Sequence, residues 1–143
     1  MAKSLNRKLI SEKVSYGLRK PSRSIIPPIL KKDNKELWPK YDYLDARRLL
    51  QKENYCNGNI LKIPLTYRSN VPADKLIALT WQEEIKNYLK DCMNIELNGV
   101  ESTTVYKNLN LGIYTAVILD WTGAYSDPEA YLTPLLSLSL IHI

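Results

Sequence analysis

Phenylalanine is absent from this 143-residue chain, and glycine (five), cysteine (two) and histidine (one) are scarce. Each shortage removes a class of chemistry. The five glycines are scattered singly, so no glycine-rich loop exists to cradle a phosphate with successive backbone amides. The lone histidine, His142, has no Ser, Cys or carboxylate placed by sequence beside it, which argues against Ser-His and Cys-His nucleophilic mechanisms. Cys56 and Cys92 have no partner cysteine at short spacing and no usable histidine, so no metal and no cofactor is expected. The two cysteines could pair in an oxidising compartment, but their surroundings differ, and they are read as two unpaired small hydrophobes. No apolar run approaches the roughly 20 residues needed to span a bilayer. The opening MAKSLNRKLISEK lacks the continuous apolar segment of a secretion signal, so the chain as written would stay where it was made. There is no low-complexity tract and no repeat at a fixed period.

What is present describes an ordinary globular domain. A chain of this length forms one domain that buries roughly 68–70% of the surface its unfolded form exposes. Ten Tyr and three Trp supply the aromatic area. The net charge of +5 is unevenly spread, because residues 1–52 hold fourteen Lys and Arg against five Asp and Glu. The cluster Arg7, Lys8, Lys13, Arg19, Lys20 and Arg23 suggests a phosphate backbone as partner. It lacks interleaved exposed aromatics and a reading helix, so it is read as a solvated face with no nucleic-acid partner.

Periodicity orders the chain. Residues 6–18 form a helix capped by Asn6 and left through Gly17, with Leu9, Ile10, Val14 and Leu18 recurring near helical spacing. Residues 19–32 are a proline-rich loop whose Ile25, Ile26, Ile29 and Leu30 are too apolar to leave in water, so the loop is expected to lie on the body. A second helix over 41–55 starts at Asp42 and buries Leu44, Leu49 and Leu50, leaving Arg47, Arg48 and Lys52 wet. NILKIPLTYR, residues 59–68, alternates like a strand, and Pro64 places it at an edge or a bulge. Residues 71–92 form the longest helix, opened by Pro72, with Leu76, Ile77, Trp81, Ile85, Tyr88 and Leu89 as its apolar stripe and Glu83/Lys86 and Glu84/Tyr88 one turn apart on its flanks. A strand over 94–100, a brief helix over 101–112 and a strand over 113–121 follow. The apolar run Ala116 to Leu119 marks that last strand as interior, covered on both faces. The alternation is that of an α/β fold with a mainly parallel sheet, in which ligands meet the loops leaving the carboxyl ends of strands.

That rule singles out Asp120 to Tyr125. Asp120 and Asp127 flank the loop and could do acid-base work as a pair, but Asp127 precedes Pro128 and Glu129 as a helix cap does. Asp120 either anchors the loop or faces a ligand. Trp121 and Tyr125 are read as ligand contacts and Tyr131, on the following helix, as core rim. Tyr67 and Arg68, at the exit of the earlier strand, would supply the neighbouring wall. No catalytic residue is assigned, and the chain is not expected to be an enzyme.

Four segments in order resemble one family, the large extracytoplasmic solute-binding proteins of ABC importers that carry oligopeptides, dipeptides and nickel complexes (family 5). They are LNRKLISEKVSYGLRKPSRSIIPP, YDYLDARRLLQKENY, LIALTWQEEIKNYLKDCMNIELNGVE and GIYTAVILDWTGAYSDPEAYLTPLLS. The resemblance implies a partial C-terminal lobe, residues 1–137, of a two-lobed binding protein truncated at both ends. It also implies a ligand loop at Trp121, Thr122, Gly123 and Tyr125, a missing N-terminal lobe as partner, membrane permease subunits beyond it, and an extracytoplasmic parent. In peptide-binding members a Trp-x-x-Asp loop carries the carboxylate that pairs with the peptide amine, and here Ala124 stands at that position, leaving Asp120 or Asp127 to replace it. The implied ligand is therefore a small solute, peptide-like or otherwise polar. The alternatives are the solute-sensing domain of a cytoplasmic transcription regulator and a basic nucleic-acid-binding module. Leu138 to Ile143, LSLIHI, is similar to a translated sequencing-transposon end and is expected to be a non-native tail that takes His142 with it.

Overall fold

The computed structural model describes residues 1–31 and 36–136. The proposed tail and His142 lie outside the described residues. In chain order the elements are α1 (Arg7–Ser15), α2 (Tyr43–Lys52), β1 (Leu61–Arg68), α3 (Pro72–Tyr88), β2 (Met93–Val100), α4 (Ser102–Leu109), β3 (Ala116–Val117) and α5 (Glu129–Leu136), with single 3-10 turns at Ala2–Ser4 and Pro28–Leu30. The helix starts follow their caps. The Asn6 side chain accepts from the Leu9 amide, the Asp42 side chain from the Asp45 amide, and Pro72 opens α3. α1 ends as Tyr16 and Gly17 turn left-handed, with the Gly17 amide returning to the Ser11 carbonyl at 3.2 Å.

The described strands form one parallel sheet in the order β2-β1-β3, with Leu61 opposite Met93, Arg68 opposite Val100, and Leu65 and Thr66 opposite Ala116 and Val117. This corrects the expected placing of the strands. The strand expected over 113–121, with its apolar run Ala116 to Leu119, is not interior; β3 is two residues long at the edge of the described sheet and only half-buried. Apolarity on both faces signals burial from both sides, but it carries no information about sheet order. β1 occupies the centre and accommodates Pro64 there by phase. The Leu61 and Ser69 amides donate toward β2, and Thr66 accepts from Ile118, so even-numbered groups of β1 face β3. The donor that Pro64 lacks thus points to the β3 side, one residue before that pairing begins.

Beneath the sheet lies the core: Ala46, Leu50, Ile63, Leu65, Ala78, Trp81, Ile85, Leu89, Cys92, Met93 and Ile95. α3 and its C-cap supply the largest share through Ala78, Trp81, Ile85 and Leu89, at i, i+3, i+7 and i+11. The stripe differs from the expected one at two positions, because Leu76 and Tyr88 are exposed. The flank pairs differ as well: Glu83 pairs with Lys13, and Glu84 accepts from Asn6 and Tyr41. α2 buries Ala46 and Leu50 and turns Leu44 and Leu49 outward, so the small Ala46, not the leucines beside it, marks the packed face. In the proline-rich loop Ile25, Ile26 and Leu30 are half-buried, but Ile29 is exposed.

Cys56 and Cys92 are joined by a disulfide across a separation of 36 residues, correcting the expectation of two free thiols. The cysteines precede β1 and β2, whose first residues pair as neighbours, and strand adjacency is what brings unlike surroundings together.

Candidate functional site

β1 changes character along its length. Its first outward residues, Lys62 and Pro64, are exposed, whereas Thr66 and Arg68 on that same face are buried. The burial of Arg68, 6% exposed, requires charge partners, since an unpaired buried guanidinium is strongly disfavoured. Asp74, in the first turn of α3, provides the main one. Arg68 Nε donates to Asp74 Oδ2 at 2.6 Å and Nη2 to Oδ1 at 3.0 Å, a two-pronged contact between two buried side chains. The helix N-terminus behind Asp74 favours the same negative charge.

Arg68 Nη1 reaches the other way, donating to the Tyr106 hydroxyl at 3.0 Å and to Asp120 Oδ1. The Tyr106 hydroxyl in turn donates to that same oxygen at 3.1 Å, and the guanidinium carbon stands 5.9 Å from the Tyr106 ring centroid. One arginine therefore ties the end of β1 to α3, to α4 and to the loop leaving β3. Hydrogen bonding to Asp74 pulls the Arg68 pKa upward; burial opposes this, and the charges of Asp74 and Asp120 reinforce it. For Asp120, burial pushes the pKa up, but the hydrogen bonds from Tyr106 and Arg68 and the Arg68 charge outweigh it, so the carboxyl sits below the ordinary range. The two carboxylates are unequal. The Asp74 side chain is 6% exposed and that of Asp120 is 77% exposed. Both side-chain hydrogen bonds to Asp120 fall on Oδ1, which leaves Oδ2 without a side-chain partner among the described residues.

From Asp120 the chain folds back on α5. Trp121 Nε1 donates to the Ala130 carbonyl at 3.0 Å while the indole stays 42% exposed. At Gly123 any Cβ would stand 2.6 Å from the Tyr131 ring and 3.1 Å from Ala130 Cβ, so only glycine admits this approach without displacing the ring. Asp127 Oδ1 accepts from the Glu129 amide at 2.8 Å, the capping role expected of it, and the helix starts one residue after Pro128. Thr122 and Tyr125 are exposed.

The structure thus brings Arg68 and Asp120 into direct contact and places Trp121, Thr122, Gly123 and Tyr125 on one braced loop. Tyr67 belongs elsewhere. It lies on the opposite face of β1, with its hydroxyl over Gly99 of β2, where an added Cβ would meet it at 2.8 Å. Sequence reasoning missed Asp74 and Tyr106. Asp74 was findable as an acid in a helix's first turn six residues after a strand-end arginine, but Tyr106, thirty-eight residues from Arg68, leaves no such local signal. Chemically the arrangement offers an exposed carboxylate oxygen and two exposed aromatic faces on a braced loop, suited to holding a polar molecule. Among the described residues no group of three or more His, Cys, Asp or Glu could hold a metal ion.

Comparison with known proteins places this geometry in a family. The model of "Bacterial extracellular solute-binding proteins, family 5 Middle" matches residues 1–140. The chain belongs to that family, one of binding proteins and not of enzymes. Oligopeptide-binding protein OppA of Bacillus subtilis is 30% identical over 137 residues, covering 90% of this chain and 25% of that protein. Heme-binding protein A of Haemophilus influenzae is 28% identical over 145 residues, covering 96% and 25%. The chain thus spans about a quarter of the length of these relatives. Among solved structures, the Escherichia coli murein tripeptide binding protein MppA superposes with a TM-score of 0.80 at 24% identity, covering 97% of this chain and 28% of that one. NikA from Brucella suis gives 0.76 at 22%, covering 96% and 30%. These likenesses show that the α/β fold is that of the family's binding proteins.

Proposed function

We propose that this chain forms part of one lobe of the solute-binding component of an ABC-type importer, outside the cytoplasm, where it takes up a peptide-like or other small polar solute for delivery to a membrane permease. The observation that carries this reading is the braced loop Asp120–Tyr125 at the carboxyl ends of parallel strands, locked from behind by Arg68 and Ala130 while its aromatic faces and one carboxylate oxygen stay exposed. A loop that only joined β3 to α5 would not need a buried arginine to hold its first residue. The relatives named for oligopeptide, murein peptide and heme binding support a solute ligand. With Ala124 at the fourth position counted from Trp121, no carboxylate stands there to pair with an amine, and Asp120 is the acid within the loop that can take its place. The facing wall of the site belongs, in this reading, to the three quarters of the relatives' length that this chain does not span.

The test is equilibrium binding by calorimetry against a panel of tri- to pentapeptides, comparing wild type with Trp121→Ala. Loss of an aromatic stacking surface worth about 0.5–1.5 kcal/mol weakens binding by roughly threefold to tenfold. Unchanged affinity in the variant would assign Trp121 to the α5 contact alone.

A further inference from the structure

A second concave surface, built from other elements, lies where α1 meets the Arg19–Arg23 loop and the chain entering α2. It consists of two cavities with common walls. One, of about 290 Å³, is lined by four cations, Arg7, Lys8, Arg23 and Lys40. The other, of about 240 Å³, has an apolar floor of Leu5, Ile10, Val14 and Ile77, with Arg19 and Lys20 at its edge. Leu5, Arg7 and Pro21 line both, so the two make one trough, cationic at one end and greasy at the other.

The charges there are unbalanced. Arg23 pairs with Glu36. Glu84, which the lining residues Asn6 and Tyr41 contact, is already engaged by Asn6 Nδ2 at 3.2 Å and the Tyr41 hydroxyl at 3.0 Å. Arg7 has only a long contact to the Ala2 carbonyl, at 3.5 Å, and among the described residues Lys8, Lys40, Arg19 and Lys20 make no ion pair. Burial, and then the charge of Arg23, lowers the pKa of Arg7, the direction expected of a partly buried cation beside a second one. An anionic oxygen between them relieves that repulsion, and the adjoining floor accepts an apolar body.

We propose that this trough binds an amphiphilic anion, with a carboxylate head held by Arg7, Arg23, Lys8 and Lys40 and an apolar chain laid along Leu5, Ile10, Val14 and Ile77. The site shares no residue with the Asp120–Tyr125 loop, so it stands whether or not that loop holds a solute. Charge complementarity selects the head and the apolar floor selects the body; neither half alone defines the ligand.

The probe is decanoate, titrated into the full chain with decanol as the neutral-headed control and acetate as the head without a chain. Decanoate is expected to bind saturably and at least about tenfold more tightly than either control, because charge-assisted hydrogen bonds add to apolar contact. Lys8→Ala/Lys40→Ala removes two exposed cations that make no ion pair among the described residues and should weaken decanoate by about tenfold while leaving decanol unchanged. Val14→Asn should weaken decanoate and decanol together. Thermal melts establish that each variant folds. Decanoate binding no better than decanol, or equally well to the double-lysine variant, overturns the proposal.

Discussion

Removing one carboxylate at a time from Arg68 separates the two halves of its network. Asp74→Asn leaves a guanidinium that is buried, still charged, and stripped of its two-pronged partner. Breaking one side of such a buried pair destabilises by about 3–5 kcal/mol. For a domain of this size each kcal/mol is roughly 3–5 °C of melting temperature, so a fall of about 10–20 °C follows. Asp120→Asn removes a carboxylate whose side chain is 77% exposed. Water already screens that pair, and its loss amounts to about 0.2–1 kcal/mol, a few degrees at most. Thermal unfolding followed by circular dichroism at pH 7 reads both. A fall for Asp120→Asn equal to that for Asp74→Asn would refute the assignment of Asp74 as the main anchor. The acid limb gives a second reading. The folded pKa of Asp120 is depressed, so its contribution is complete above the unfolded value and disappears as pH falls through the lower, folded one. The small difference between wild type and Asp120→Asn should therefore shrink once the pH falls below the ordinary Asp range and vanish when Asp120 is protonated in the folded state.

Other perturbations test separate parts of the structure. Reduction, or Cys56→Ala/Cys92→Ala, opens a loop of 36-residue separation, whose closure entropy is worth about 4 kcal/mol. Melting with and without reductant should differ by roughly 10–20 °C, and a difference under about 2 °C would mean that the bond contributes nothing to the fold. Gly123→Ala places a methyl 2.6 Å from the Tyr131 ring and should raise amide exchange in the loop. Gly123→Ala/Tyr131→Ala should restore it, and no rescue would mean that the ring is not the obstacle.

Much of this was legible in the sequence because it is local. Caps at Asn6 and Asp42, the proline opening α3 and the Asp127 cap each act within one helical turn and were read correctly. The helix faces were harder. Ala46 packs inward and Leu44 outward, and that choice depends on what α2 meets rather than on hydropathy. Strand order was not legible at all. Nothing in Ala116–Leu119 says that β1 is central, and the phase that lets Pro64 sit there depends on where β3 starts. The disulfide follows from that hidden order. At the candidate site, the loop after β3 was found from the rule for strand exits, and four segments in sequence identified the family. The brace behind the loop was not found, because Arg68, Asp74, Tyr106 and Asp120 come from four different elements.

The most direct measurement of where a solute sits is amide chemical-shift mapping while tri-alanine and tri-lysine are titrated to millimolar concentration, a regime that registers weak contact. The expected result is saturable shifts confined to Arg68, the Tyr106 turn and Asp120–Tyr125. Shifts absent from Asp120–Tyr125, or confined to the trough beside α1, would contradict the placement of the solute site at the strand exits.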